Sequence, residues 1–346
     1  MKKTVIAILF FVSLAHAGEY RDVAPGSTVK IPRDLFHQPG YRVQWWYFTG
    51  HLFDQAGREF GFELTFFAVN VQQKSFSSRF GVNNLYISHF AVTDIAEKRF
   101  LFHERIDSGA FGFAGAESEQ LHVWVSENSL KGTLNGMDLK ASGDNFSADL
   151  HLVPVKPFVL NGEYGYSRKS EESPLIASLY FSCPHMRTEG TLTLNDTPYH
   201  VIGKSWFDRE ISTKSLSKNH AGWDWFSIQL KDNTEVMLYL LRNRDGSTDR
   251  FSSGTFISNN GQYRHLGRDD FKITVLSHYV SEKTGARYPS QWIIEIPSEH
   301  HRLLITPLLE NQEILAYRST GNHYWEGTCM VGGTGSGRAY VEMTGY

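Results

Sequence analysis

The chain has 346 residues, with 34 Lys and Arg against 37 Asp and Glu, a formal charge of −3 and 14% aromatic residues. No basic block occurs along it, which excludes nucleic acid or an anionic membrane surface as an electrostatically held partner. The length exceeds what one hydrophobic core usually serves, so two domains are expected, and so many aromatic rings must face cores or an enclosed ligand space.

At the N-terminus, Lys2 and Lys3 precede an apolar run over 5–12, and Ala15-His-Ala17 precedes Gly18. This is the pattern of a secretory signal peptide cleaved after Ala17, with an apolar run too short to span a bilayer. The expected mature protein is periplasmic or secreted, not membrane-spanning, and carries −3 − 2 = −5 once the two lysines are removed. Cys183 and Cys329, one in each half, could form a single bridge in an oxidising compartment, but two cysteines make no disulfide framework.

From Gly40 onward the pattern is short strands separated by Gly, Asn and Asp turns, with almost no helical periodicity. Residues 43–53 form a first strand with Gln44, Trp46, Phe48 and Gly50 on one face and Trp45, Tyr47, Thr49 and His51 on the other, so both faces are expected to be buried. Residues 59–69 return as its hairpin partner and carry Glu63 among apolar neighbours. An acid there must be paired, protonated or facing water in a cavity. Residues 85–94 place His89 beside Ile87 and Ala91, a position that suits a satisfied core histidine as well as a ligand contact. Strands continue over 122–126, 130–134, 138–142 and 145–153. Residues 154–173 change texture to Pro, Gly, Tyr and the charged run Arg168-Lys-Ser-Glu-Glu172, a loop or lid, before strands resume at 177–182, 190–194 and 199–202.

The stretch Gly203-Lys-Ser-Trp-Phe-Asp-Arg-Glu-Ile-Ser-Thr213, followed by Gly222-Trp-Asp-Trp-Phe226, concentrates aromatic and charged residues. As a strand it puts Trp206, Asp208 and Glu210 on one face and Phe207 and Arg209 on the other, with the two carboxyls roughly 6.5–7 Å apart along the backbone. That spacing suits acid and base catalysis beside an aromatic wall. A structural network, with Arg209 pairing to Asp224 or Glu326 across a domain junction, explains the same residues without chemistry. Hairpin strands follow at 223–231 and 235–244, then strands at 254–257, 271–279, 291–296, 301–307 and 324–331, and a last strand with Arg338, Tyr340 and Glu342 on one face. The expected architecture is two antiparallel barrels or sandwiches packed together.

Several chemistries lack their residues. No G-x-S-x-G elbow is present, His300-His301 and Pro184-His185 are not at metal-ligand spacing, and no helix pattern follows Gly332-Gly-Thr-Gly-Ser-Gly337, so neither a metal nor a cofactor is expected. Paired carboxylates and Trp platforms also serve glycoside hydrolysis, although the surrounding face is Phe, Leu and Ile rather than hydrogen-bonding residues.

Gln44-Trp-Trp-Tyr-Phe-Thr-Gly-His-Leu52, Gly203-Lys-Ser-Trp-Phe-Asp-Arg-Glu210, Gly222-Trp-Asp-Trp-Phe226, Val236-Met-Leu-Tyr-Leu-Leu-Arg242, Tyr324-Trp-Glu-Gly327 and Tyr340-Val-Glu-Met-Thr-Gly-Tyr346 together resemble the carotenoid 1,2-hydratase (hydroxyneurosporene synthase) family. In particular they resemble its exported AttH-like branch of secreted hydrolases. The resemblance implies two lipocalin-like β-barrel domains, over 24–213 and 214–346, and an exported protein that hydrates or hydrolyses a hydrophobic small molecule. It also implies an acid at Asp208, beside which strand alternation sets Glu210 as its same-face companion, and a functional link to an ABC-type transporter. Trp206, Trp46, His51, Glu63, His89, Trp223 and Trp225 are the expected ligand contacts, and Arg209 and Asp224 the structural or charge partners. A non-catalytic carrier of a lipid or other hydrophobic ligand is the alternative that such barrels allow.

Overall fold

The structure, a computed structural model, describes residues 20–71 and 82–346; the expected signal peptide lies outside the described residues. The first antiparallel sheet is built from β1 (Val43–Asp54), β2 (Glu59–Asn70), β3 (Asn84–Asp94), β4 (Arg99–Asp107), β5 (Ala114–Ala116), β6 (Leu121–Val125), β7 (Asn128–Thr133), β8 (Gly136–Ser142), β9 (Phe146–Pro154), β10 (Val159–Leu160), β11 (Tyr166–Arg168), β12 (Ala177–Leu194) and β13 (Thr197–Lys214). Its strand order is β4-β3-β2-β1-β13-β12-β9-β8-β7-β6-β5, with β10 and β11 on β12. The second sheet is built from β14 (His220–Leu230), β15 (Glu235–Asn243), β16 (Ser253–Ile257), β17 (Tyr263–Leu266), β18 (Lys272–Val280), β19 (Arg287–Ile296), β20 (His301–Pro307), β21 (Glu313–Ala316), β22 (Asn322–Gly333) and β23 (Gly337–Thr344). They run in the order β17-β16-β15-β14-β23-β22-β20-β19-β18, with β21 on β22.

Each sheet curls around its own core. In the first, β6 packs back against β2, β3 and β4, enclosing Phe48, Phe62, Phe66, Phe90, Leu139, Leu150 and Phe207. The second encloses Phe226, Ile228, Tyr288, Trp292, Ile294 and Ile305. Strand alternation explains the division, because every second residue of β1, β13 and β14 points into a barrel while the intervening ones point out of it. The fold is thus all-β, two lipocalin-like antiparallel barrels, and no α-helix occurs among the described residues.

The outward faces of β1, β2, β12 and β13 press against those of β14, β15, β22 and β23, forming a third apolar cluster of Tyr47, Tyr180, Trp206, Trp225, Met237, Tyr239 and Tyr340. Gly61 of β2 makes this close approach feasible, since a Cβ there would lie 2.8 Å from Cβ of Thr328 on β22. Polar ties cross the same seam. Arg338 Nη2 donates to Glu59 Oε2 at 2.7 Å, and Lys156 bonds Glu235, which also accepts from His185 Nδ1 at 3.0 Å.

Three features differ from the sequence expectation. The strands expected at 177–182 and 190–194 are one strand, β12, because a bulge between Cys183 and Met186 absorbs Pro184 and lets the ladder continue. Likewise 199–202 and 206–210 belong to the single 18-residue β13. The stretch 154–173, expected as a loop or lid, is a strap fastened to β12 through β10 and β11. Cys183 on β12 and Cys329 on β22 belong to different sheets, and both are buried and free.

Arg209 points into the first barrel, away from the seam, and so pairs with neither Asp224 nor Glu326. Its guanidinium lies 3.9 Å above the Trp46 ring and donates to the backbone carbonyls of Asp34 (3.1 Å), Trp45 (3.3 Å), Glu210 (3.0 Å) and Phe36 (2.8 Å) and to Gln44 Oε1 (2.8 Å). Trp46 shares that interior, donating from its indole to the Leu35 carbonyl at 2.7 Å, and is a core residue of the first barrel rather than a ligand contact. Arg209 therefore pins the 33–36 segment across the mouth of the first barrel. Replacing it by Met leaves this set of buried acceptors unpaired, and an Arg209→Met variant is expected to lose about 3–5 kcal/mol of unfolding free energy in urea. A loss below about 1 kcal/mol would show that water satisfies those carbonyls equally well.

Candidate active site

Strand register alone assembles the seam. On the first sheet, Tyr47 of β1 stands opposite Thr65 of β2 and Asp208 of β13, and Asp208 stands opposite Ser182 of β12. One row over, Thr49 stands opposite Glu63 and Trp206; on the other side Trp45 stands opposite Glu210, which stands opposite Tyr180. On the second sheet, Trp225 of β14 stands opposite Tyr239 of β15 and Glu342 of β23, and Glu342 stands opposite Glu326 of β22. Five carboxyl groups, Glu63, Asp208, Glu210, Glu326 and Glu342, thus meet on one aromatic-lined seam. Trp45, Phe67, Trp223 and Glu342 are only half-buried, and they mark where the seam reaches solvent.

Asp208 is 3% exposed and accepts three hydrogen bonds. Trp206 Nε1 donates to Oδ1 at 2.7 Å, Ser182 Oγ donates to the same oxygen, and the Tyr180 hydroxyl donates to Oδ2 at 2.6 Å. The direction of each bond is fixed further out. Trp225 Nε1–H, which can only donate, occupies the Tyr180 oxygen at 3.0 Å, and Asn161 donates to Ser182 at 2.8 Å while accepting from Thr255 at 2.7 Å. A carboxylate offers about four lone-pair positions, so this arrangement leaves one on Oδ2, open to a proton. Burial pushes the Asp208 carboxyl up to about 7, against the lowering effect of its three donors.

The other acids differ in their partners. Desolvation also pushes Glu342 up to about 7, opposed by the Trp223 indole and reinforced by the charges of Asp208 and Glu210. Burial, then mutual repulsion, holds Glu326 well above the carboxylate range although it accepts from the Tyr47 hydroxyl at 2.7 Å. Glu63, fully buried and bonded to Thr65, is raised by burial and by Glu342, and its Oε2 has no hydrogen-bond partner among the described residues. Glu210 forms an ion pair with Lys169 at 3.3 Å.

The remaining expected contacts divide between the seam and elsewhere. Trp206 and Trp225 pack edge-to-face with ring centres 6.2 Å apart, and Trp223 lies at the rim. His51 is held by Thr328 Oγ1 at 2.8 Å, and burial pushes it down to about 3, so it is neutral. His89 sits at the margin between the Tyr324 hydroxyl (2.7 Å) and Ser319 Oγ (2.8 Å) and is likewise pushed down to about 3 by burial. Ser319 gives its proton to Glu104, so this contact does not make a nucleophile. Asp224 points into the second barrel, where Arg242 (3.0 Å) and the Tyr346 hydroxyl (2.9 Å) satisfy it, and is not part of the seam. Tyr180, Lys169, Glu326 and Glu342 were not among the expected site residues; an acid isolated in an apolar strand, the signal that singles out Glu63, also marks the last two.

The raised carboxyls make stability depend on pH with a definite sign. Native Asp208 and Glu342 retain protons to about pH 7, whereas the unfolded chain releases them near its ordinary carboxyl range, about pH 4. The native state then binds more protons, so stability falls as pH rises from about 4 to about 7 and levels off above that, when both states are ionised. Asp208→Asn is expected to flatten this fall by about 2–4 kcal/mol, and Glu342→Gln, being partly exposed, by less, in urea unfolding compared at about pH 4.5 and about pH 7.5. Slopes equal to that of the unaltered protein would place both protons elsewhere.

Comparison with known proteins follows this architecture. A protein described as an AttH from Nitrosomonas europaea is 30% identical, superposes with a TM-score of 0.86, and the match covers 94% of this chain and 99% of that one. Kievitone hydratase from Nectria haematococca shares the fold at a TM-score of 0.72 with 15% identity, over 94% of this chain and 96% of its own. The dehydratase asqC of Emericella nidulans is 23% identical over 257 residues, 70% of this chain and 68% of that protein. The AttH-like family model matches residues 22–346, and the chain belongs to that family.

Proposed function

We propose that this protein is a hydratase or dehydratase that adds water across a carbon–carbon double bond of a hydrophobic small molecule lodged at the seam, or removes water to form one. The observation that carries this reading is Asp208: a carboxyl raised to about 7, held by three converging donors, with one lone-pair position left open beside an aromatic wall. A dehydratase and a hydratase among the similar proteins support the same class.

In the hydration direction, protonated Asp208 gives its proton to one alkene carbon as the π bond breaks. Water forms a C–O bond at the other carbon, and the proton it loses passes to the Glu210 carboxylate. Dehydration runs the same steps in reverse, so atoms and charge balance either way. Desolvation serves both directions, because a carboxyl near pH 7 is present in each protonation state at neutral pH. Tyr180, Ser182 and Trp206 would fix the carboxyl plane, and the rings of Trp206, Trp225 and Tyr47 would hold the apolar ligand. The signal-peptide pattern of residues 1–17 supports action in the periplasm or outside the cell.

The test is incubation of the purified protein with a panel of apolar alkenes and alcohols in water enriched in oxygen-18, read by mass spectrometry. The expected outcome is gain or loss of one water with the label on carbon, and a fall in kcat of about 10²–10⁴ in Asp208→Asn with ligand binding kept. Turnover that survives Asp208→Asn overturns the assignment of the acid, and a ligand bound but never changed favours the carrier function.

A further inference from the structure

Of the five carboxyl groups gathered in the aromatic part of the seam, Glu63, Asp208, Glu210, Glu326 and Glu342, only Glu210 has an ion-pair partner among the described residues, Lys169. Lys169 comes from the strap, just after β11, and its own backbone N–H is anchored to the Ile176 carbonyl at 2.8 Å. The residue is 6% exposed, and its ammonium lies between two rings, 4.4 Å from the centre of Tyr239 on the second sheet and 5.1 Å from that of Tyr180 on the first. Tyr239 is fixed in turn by Ser253 (2.8 Å) and Ser167 (3.0 Å). The ammonium is therefore seated by both sheets and aimed at one carboxyl, with Tyr180 standing between it and the other.

A cation so placed does not act equally on the two acids of β13. Asp208 is bonded by neutral donors only, which lower the energy of its charge without cancelling it, whereas Glu210 has a full opposite charge at 3.3 Å. Lysine suits this seat because its charge is compact, carried on a slim stem that fits between the rings. Burial alone would lower the Lys169 ammonium, but Glu210 and the Tyr239 hydroxyl outweigh that and raise it, so the cation persists.

We propose that Lys169 is a positioning residue that keeps Glu210 a carboxylate before turnover, so that of the two carboxyls on β13 Asp208 is the one that holds the proton to be given and Glu210 the one free to accept. This rests on the acid and base roles proposed above, and it accounts for how two like groups two residues apart on one face take opposite roles. The titratable groups that face the pair are Tyr180 from β12, Asp208 from β13, Tyr239 from β15, Glu342 from β23 and Tyr47 from β1.

The test needs no substrate. Protein labelled with carbon-13 at the Asp and Glu carboxyl carbons is titrated by NMR, with Asp208→Asn and Glu210→Gln assigning the two signals. In Lys169→Met the Glu210 midpoint is expected to rise by about one to two pH units, and Lys169→Arg is expected to restore most of that shift. An unchanged Glu210 midpoint in Lys169→Met overturns the proposal. If Lys169→Met does not fold, Lys169→Met with Glu210→Gln removes both charges. Recovery of folding in that pair supports the proposal, and its failure, where Glu210→Gln alone folds, shows that Lys169 only packs and overturns it. Because no turnover is measured, a failed search for substrate leaves this result intact, and an unchanged titration leaves the catalytic role of Asp208 open to its own test.

Discussion

Removal of water from a row of carboxyl groups is the constraint on which the remaining features of the seam depend. An acid buried between two sheets keeps its charge only where a cation or a set of donors replaces the lost hydration. The seam offers each carboxyl a different substitute: an ammonium for Glu210, three neutral donors for Asp208, one phenol for Glu326, the Trp223 indole for Glu342 and one threonine for Glu63. One strand spacing repeated across two sheets thereby gives carboxyls different partners, and burial raises Asp208, Glu342, Glu326 and Glu63 above their ordinary range, which chemistry near neutral pH can use.

Strand β13 joins this electrostatic arrangement to the fold. Its alternate residues serve two environments, Phe207 and Arg209 closing the first barrel while Trp206, Asp208 and Glu210 face the second. The carboxyls accordingly sit on a strand held from behind by the Arg209 socket and flanked on both edges by long partners, β1 and β12. Groups on such a strand have little freedom to relax, which is what preorganised acid and base groups require. The strap over 154–176 adds what no strand of the seam carries, a buried lysine toward each end: Lys156 to Glu235 and Lys169 to Glu210.

Much of this was legible in the sequence, and the reasons are specific. The alternation of Trp206, Asp208 and Glu210 against Phe207 and Arg209 is a period-2 pattern, and the structure keeps it. Aromatic residues on both faces of β1 signalled that its outer face was covered too. Lys169 was not legible, because a lysine within Arg168-Lys-Ser-Glu-Glu172 has the composition of a solvated loop and only the path of the strap buries it. Trp46 was misjudged because sequence separates the two faces of a strand without saying which one meets a core and which a neighbouring domain. β4 carries no clear strand signal, since Arg99, His103, Glu104 and Arg105 dilute its apolar alternation, as an edge strand allows.

The two unpaired thiols have one more consequence. Cys183 is pushed up to about 12 by burial, and burial likewise holds Cys329 well above the usual thiol range, so neither is a nucleophile in the closed protein. Because no disulfide joins the two barrels at these residues, beyond the backbone link between β13 and β14 their association rests on packing and the polar ties of the seam. Each thiol is also a native reporter confined to one sheet: Cys183 becomes reactive only when the first barrel opens, Cys329 only when the second does. The molecule therefore carries, without alteration, the means to tell whether its barrels loosen separately or as one unit.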